Sequence, residues 1–509
     1  MAEISSNNKR IAKNTVMLYI RMLLSTVVSL YTSRVVLQVL GVEDYGIYGV
    51  VGGVVAMFSF LNSTMAGATS RFLTFEMGKG DKERLKDTFS SALIIHIGIA
   101  LLVLVLAETI GVWFLNNKLV IPEGRMEAAN WVLQFSILSM IVGFTQVPYN
   151  ATIIAHEKMD VYAYVELIHV FLKLGIVYLL WIGNFDKLIL YAFLVFVVGL
   201  ITAMIYRIYC IRHYEESKVR WIWDKTIIKP MLSFSGFSLY FNVCLTVRRQ
   251  GTNFLINIFF GAITNAASSI ATTVNGILTG LAFNVVTASR PSIIKYYSMN
   301  KLEEMQKTIT NAIKFSMLLL IMIAIPSYLE TPFLIKFWLG QVPQHVVTFI
   351  RIVLITNFIG IINSVITIGI DATGNIKLYS FISGTIALLA MLISYLLFRI
   401  GLNVQYAYIS NLLTFILILI TNMFILKKRI KKIQLYPILL EILQVIFTAV
   451  ISVLIVLLPY TYMEEGLFRV IIVTICNTFV ICTLTYIFMD KNQRTHIKQL
   501  IYKKLKKHY

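Results

Sequence analysis

Apolar stretches of about twenty residues alternate with short polar connectors along nearly the whole chain. A helix needs about 20 mostly apolar residues to cross the hydrocarbon of a bilayer. Windows of that kind fall at 14–40, 47–69, 88–115, 128–152, 161–182 and 187–210, then at 230–259, 264–288, 309–329, 347–369, 378–399 and 405–426, and finally at 437–459 and 467–489. The pattern predicts an all-α polytopic membrane protein of about 14 transmembrane helices. No connector exceeds about twenty residues, which leaves no room for a soluble catalytic domain.

The connectors fix an orientation. Lys79, Lys82, Arg84 and Lys86 follow the second window, and Lys218, Arg220 and Lys225 follow the sixth. Lys295 and Lys301 follow the eighth, and Lys427, Lys428, Arg429, Lys431 and Lys432 follow the twelfth. The alternate connectors 41–46, 183–187 and 401–405 are nearly free of Lys and Arg. One side then holds roughly thirty basic residues and the other about five, the bias that keeps basic loops cytoplasmic. An even number of spans places both termini on the cytoplasmic side of a bacterial inner membrane. Residues 1–13 are polar and basic with no small-residue cleavage site, so the first window is expected to be a retained span. The basic tail 491–509 suits either an amphipathic helix on anionic lipid or a solvated segment.

Composition agrees. The 509 residues are 58% hydrophobic with mean hydropathy +0.78, and 14% are charged, against about 25% in soluble domains. The net charge of +20 would suggest nucleic acid in a soluble protein, but here the cations sit in connectors, so no nucleic-acid partner is expected. Cys210, Cys244, Cys476 and Cys482 lie in or beside apolar runs without ligand spacing, which predicts packing roles, no disulfide and no metal site. The chain holds no Walker loop, H-E-x-x-H, G-x-S-x-G or C-x-x-C, so the expectation is a transporter without cofactors rather than an enzyme. Its driving force would be an ion gradient (H+ or Na+), the membrane potential or the substrate gradient.

The chain partly repeats itself at an offset of about 220 residues. Leu40-Gly41 matches Phe260-Gly261, Ser70-Arg71 matches Ser289-Arg290, Thr88 and Ala92 match Thr308 and Ala312, and the turn Ala155–Lys158 matches Ala372–Asn375. Both halves begin on the same side, so the repeat is parallel, an arrangement in which substrate binds between halves that rock to alternate access. The expected organisation is a six-helix lobe over 1–228, a second over 229–432, two further helices over 433–490 and the tail 491–509.

Polar residues at membrane depth are costly and mark cavities or partners. Asn242, Thr246, Arg249 and Asn253 share one helical face of the seventh window, with Arg248 beside it. Arg21, Ser25, Ser29 and Thr32 form a stripe in the first, with Arg34 nearer its outer end, and Thr272, Asn275 and Thr279 form another in the eighth. These stripes predict a cationic lumen between the first and seventh helices, with Arg21, Arg34, Arg248, Arg249, Asn242, Thr246, Asn253 and Asn275 as substrate-binding candidates. Interhelical hydrogen bonding is the other reading of each single Ser, Thr or Asn. A guanidinium pair without a nearby carboxylate suits phosphate or an acidic sugar. Glu166, His169 and Lys173 share a face of the fifth window and read either as a structural ion-pair network or as a proton or cation relay.

Several motifs resemble a known family. Arg34, Leu40-Gly41 and Tyr45-Gly46-Ile47-Tyr48 resemble the first periplasmic turn of Wzx-type O-antigen and capsular repeat-unit flippases, in the multidrug/oligosaccharidyl-lipid/polysaccharide (MOP) exporter superfamily. Ser70-Arg71 with Gly78-Lys79-Gly80-Asp81 resembles their first cytoplasmic loop, and Arg248-Arg249-Gln250 through Phe260-Gly261 resembles their seventh helix. In the second half Asn265-Ala266-Ala267 stands where the first has Tyr45-Gly46-Ile47, a departure from the pattern. The resemblance implies a V-shaped bundle of two lobes that acts as a monomer, its cleft lined by the first, second, seventh and eighth helices. It implies transfer of an undecaprenyl-pyrophosphate-linked oligosaccharide to the periplasmic leaflet for surface polysaccharide, with the last two helices forming a groove for the lipid tail. A drug/cation antiporter of the same superfamily would share the fold but would place a carboxylate in the cleft. A membrane polysaccharide polymerase would need a large periplasmic loop.

Overall fold

A computed structural model describes residues 2–56, 59–119, 121–181, 185–339 and 342–488. The described residues form helices and connectors, with no strand among them. The helices are α1 (Ala2–Ala56), α2 (Ser59–Lys79), α3 (Lys82–Leu106), α4 (Val112–Lys118), α5 (Met126–Ala155), α6 (Met159–Leu179) and α7 (Lys187–His213). They continue as α8 (Lys225–Ser298), α9 (Leu302–Leu329), α10 (Thr331–Leu339), α11 (Val346–Ala372), α12 (Lys377–Arg399), α13 (Gln405–Arg429), α14 (Leu435–Tyr462) and α15 (Leu467–Phe488). A π-turn over Ala107–Gly111 joins α3 to α4. Aspartates start several helices: Asp81, Asp186 and Asp224 accept hydrogen bonds from backbone N–H groups in the first turns of α3, α7 and α8, meeting donors that have no intrahelical partner.

Among the described residues, eleven helices are long and apolar enough to cross a membrane, or twelve if the bent pair Ile270–Gly280 and Ala282–Ser298 is one span. The sequence windows numbered fourteen. The difference lies in the first, second and eighth windows, of which the first is described as the shorter apolar helix Asn14–Ser29 and the eighth as the bent pair; polar residues also stand in these helices, Arg21, Ser25, Ser29 and Thr32 in α1 and Asn62, Thr64, Thr69 and Ser70 in α2. A helix with that much polar surface needs protein or water on one side.

The duplication is written into the backbone. The starts of α9, α11, α12 and α13 fall 218 to 220 residues after those of α3, α5, α6 and α7. Both α1 and α8 break at a glycine of matching geometry, Gly41 (φ 79°, ψ 171°) and Gly261 (φ 80°, ψ 177°). Residues with positive φ pair in the same way: Gly41 with Gly261, Gly80 with Asn300, Gly124 with His345, and Glu157 with Gly374. Left-handed backbone is costly for an L-residue, so its recurrence where one copy carries Asn, His or Glu shows that each turn's geometry is kept while its residue has changed.

The fold divides into two compact units. The first comprises 1–246, 287–308 and 367–385; the second comprises 247–286, 309–366 and 386–509. The first unit therefore holds the ends of α8 and α11 and the starts of α9 and α12 as well as α1 to α7. Its interior is rich in alanine: Ala68, Ala92, Ala129, Ala151 and Ala203 are at most 2% exposed. Small residues let helices approach closely, where dispersion replaces the hydrophobic effect that lipid cannot supply. Large apolar side chains fill the remaining space, Phe89, Phe144 and Tyr206 among them at no more than 1% exposed. All six tryptophans are exposed, Trp221 and Trp223 among them in the basic α7–α8 connector, as expected of headgroup-level anchors.

Candidate functional site

The polar face of the seventh window falls on both units. In the first unit, Asn242 donates to the Thr64 hydroxyl of α2 (3.2 Å), and the Thr246 hydroxyl donates back to the Asn242 carbonyl (2.9 Å). In the second unit, Arg248 Nη1 donates to Asn411 Oδ1 (2.8 Å), and its guanidinium lies 4.7 Å above the Phe415 ring of α13. Arg249, about 100° further round the helix, is exposed. The two arginines thus have different surroundings. Asn253 accepts from Ser268 (3.3 Å), which in turn accepts from the Tyr408 hydroxyl (2.8 Å). Asn275 keeps a buried Oδ1 with no hydrogen-bond partner among the described residues. The Arg34 side chain and the tail 491–509 lie outside what is described.

The candidate residues of the first and fifth windows do meet. Arg21 of α1 sits 5.0 Å above the Tyr162 ring of α6. One turn along α6, Glu166 accepts from the Tyr206 hydroxyl of α7 (3.2 Å). His169 contacts the Thr202 hydroxyl (3.0 Å), and Lys173 is partly buried a turn further on. Arg207 extends the network, donating to the Thr145 hydroxyl (2.6 Å). The described hydrogen bonds of Arg248 and Arg207 are thus to neutral groups, whereas Arg21 shares its tyrosine neighbours with the Glu166 carboxylate.

A further polar assembly was not foreseen as a site. At the basic-loop end of the first unit, the repeat-related Arg71 and Arg290 converge on the last turn of α11. Arg71, 5% exposed, donates from Nε to the Asp371 carbonyl (3.1 Å) and from Nη2 to the Ala372 carbonyl (3.0 Å). These carbonyls end the helix, the Asp371 one also accepting from Gly374 N–H (2.9 Å), and a cation there meets the negative end of the helix dipole. Phe72 and Phe75 hold the guanidinium at 4.6 Å each, and Phe234 at 6.0 Å. Arg290 Nη2 donates to the Asp371 carboxylate (3.2 Å), while its buried Nε finds no partner among the described residues. Beside this assembly the Glu157 carboxylate accepts from Ser292 (3.3 Å), and its carbonyl accepts from Asn14 (3.1 Å). Glycines make the approach possible. A Cβ on Gly374 would stand 2.5 Å from Arg71 Nη2, and one on Gly78 would stand 3.0 Å from the Lys295 carbonyl oxygen. The ends of α2, α8 and α11 and the α5–α6 turn are therefore sealed together.

Two contacts pin the connectors of the first unit. At the basic end, Glu216 receives a 2.6 Å contact from His156, whose ring stacks on Tyr214 at 3.9 Å. Burial alone would raise the Glu216 carboxyl; the hydrogen bond from His156, a backbone hydrogen bond and the nearby charges of His156 and Lys86 together outweigh it and hold the group below its ordinary value. At the other end, Arg125 bridges Asp186 (2.5 Å) and Asp44 (2.6 Å). Its hydrogen bond to Asp186 does most to raise the guanidinium above its ordinary value.

In the second unit the last two helices are fastened to α9. Arg469 of α15 pairs with fully buried Glu330 through two bonds (2.8 and 2.7 Å). Buried Asn477 donates to the Met322 carbonyl (2.9 Å) and accepts from Ser452 of α14 (2.6 Å), and Lys314 pairs with Glu441 (2.9 Å). A cavity of about 580 Å³ lies between α14 and α9, α11 and α13, lined only by apolar side chains including Met317, Phe358, Ile362, Leu419, Ile446 and Val453.

Neither a family model nor a curated protein matches this sequence. Solved structures do match its fold. A MATE structure in the bent conformation is 12% identical with TM-score 0.73, covering 85% of this chain and 97% of that one. An outward-facing multidrug resistance MATE family transporter of the MOP superfamily is 13% identical with TM-score 0.70, covering 84% and 97%. A MOP superfamily transporter from Pyrococcus furiosus, for which reversed polarity of the binding pocket is taken to suggest a different function, is 12% identical with TM-score 0.72, covering 84% and 96%. The chain therefore has the polytopic fold of MATE transporters in the MOP superfamily.

Proposed function

We propose that this protein is a flippase that moves a polyprenyl-diphosphate-linked oligosaccharide from the cytoplasmic to the outer leaflet of a bacterial inner membrane by alternating access. The observation that carries this reading is an arginine at membrane depth with neutral partners, Arg248 against Asn411 and Phe415. An uncompensated guanidinium is expensive in a bilayer, and an anionic substrate supplies the missing charge. A glycan cannot cross hydrocarbon unaided, because each unsatisfied hydroxyl costs several kcal/mol. The apolar cavity beside α14 suits a polyprenyl tail, and the Arg71–Asp371–Arg290 assembly acts as the gate on the cytoplasmic side. Replacing Arg248 and Arg249 together by Ala, at wild-type expression, should abolish transport; unchanged transport would reject the reading.

A second reading, an ion-coupled multidrug or cation antiporter, is favoured by one observation: Glu166 lies among Arg21, Tyr162 and Tyr206 in the first unit. A carboxylate so placed could exchange protons against a cationic substrate. Loss of cation efflux in Glu166→Gln, with no effect on glycan transfer, would select this reading.

A further inference from the structure

We propose that Arg71 and Arg290 form the first docking site for the substrate's diphosphate on the basic-loop side, and that Asp371 occupies that site as an internal anion while the gate is closed. The proposal rests on the flippase reading. Three observations lead to it. First, the two arginines are equivalent in the repeat, yet both serve one helix end, and the position matching Asp371 in the first half is Ile154. The convergence therefore belongs to this one carboxylate-bearing turn.

Second, donors exceed acceptors. Two guanidiniums face one carboxylate, and Arg71 reaches only main-chain carbonyls of the Asp371–Ala372 turn. Arg290 has a buried Nε with no partner among the described residues. The neighbouring Glu76 is shared with Lys79 and Arg84 at 3.7 Å each. A diphosphate diester carries two negative charges and several acceptor oxygens, which would satisfy both forks where Asp371 satisfies one contact.

Third, the site is preorganised. Three phenylalanine rings hold Arg71 in place, so it need not reorder to meet a ligand once α11 moves away. Opening the basic side would free both guanidiniums among connectors rich in Lys and Arg. Substrate binding and release of Asp371 then become one exchange, which couples loading to opening.

The test is equilibrium binding of geranylgeranyl diphosphate and of inorganic pyrophosphate to the full-length protein in nanodiscs. Asp371→Asn keeps the carbonyls that Arg71 uses but removes the competing charge, so it should tighten prenyl diphosphate binding about tenfold, the shift expected when a closed population is released. Arg290→Gln should weaken binding, and Arg290→Gln added to Asp371→Asn should cancel the gain. Arg71→Lys, which keeps the charge without the fork, should bind less tightly than wild type. Equal affinity in wild type and Asp371→Asn overturns the proposal. Pyrophosphate binding as tightly as the prenyl compound overturns its lipid-linked form. Binding is read apart from transport. Glycan transfer without the Asp371→Asn gain fails this inference alone, and the gain without glycan transfer fails the flippase reading alone.

Discussion

Gly78 provides the sharpest test of the basic-side seal. An added methyl there would stand 1.6 Å from the Ser298 hydroxyl, 3.0 Å from the Ser298 Cβ and 3.0 Å from the Lys295 carbonyl oxygen. The hydroxyl can rotate, at the loss of its 2.8 Å bond to Lys295, worth about 1 kcal/mol. The backbone oxygen and the Cβ cannot, and carbon contacts settle at about 3.5–4.0 Å. The end of α2 must therefore back away from the end of α8 by several tenths of an ångström. Overpacking of this size costs about 1–3 kcal/mol, charged to the closed state alone. A cost of about 1.4 kcal/mol shifts a two-state population tenfold. The assay is labelling of Ser70→Cys, a buried position (7% exposed), by a membrane-impermeant maleimide in a background lacking the four native cysteines. Gly78→Ala should speed labelling about tenfold, and Ser298→Ala should restore part of the closed state. Labelling unchanged by Gly78→Ala in a well-folded protein would refute the claim that this contact holds the seal.

Three further outcomes follow from the contacts described above. Arg469→Met leaves Glu330 buried and unpaired, which should destabilise the protein by about 3–5 kcal/mol, whereas the double change Glu330→Met/Arg469→Met should fall close to wild type; thermal unfolding of both variants reads the difference. Because Glu216 sits below its ordinary value when folded, its contribution is present above the unfolded carboxylate value and is lost as pH falls through the lower, folded one. Stability profiled from neutral to acidic pH should therefore lose an acid-side decrement in Glu216→Gln. Gly80→Ala, at φ +80°, should cost about 1 kcal/mol, while Asn300→Gly at the matching turn should be close to neutral; chemical denaturation of the two separates them.

Periodicity carried the membrane architecture, because a span must be apolar over a fixed length whatever its neighbours. The first, second and eighth windows read less cleanly, because Arg21, Asn62 and Asn275 interrupt their apolar runs. The repeat was legible in Gly41 and Gly261, where only a special backbone explains a matched glycine. It was less legible where Asn300, His345 and Glu157 take the same left-handed turn without glycine. Spacing placed Arg248 and Arg249 together, but adjacent helical residues point about 100° apart, and only one of them reaches α13. The Ser-Arg repeat was visible as a pattern, yet its meaning depends on a turn 300 residues away in sequence. No periodicity reports a contact of that range, and Asp371 has no counterpart in the first half to draw attention to it.

The most direct measurement uses the purified protein in sealed vesicles loaded on one leaflet with a fluorescent polyprenyl-diphosphate oligosaccharide, its glycan detected by a lectin that cannot cross the bilayer. Glycan should appear on the opposite face faster than in protein-free vesicles, and Arg248→Ala/Arg249→Ala should remove the difference. Vesicles in which the glycan stays in place, while a cationic dye is expelled against an ion gradient, would contradict the account.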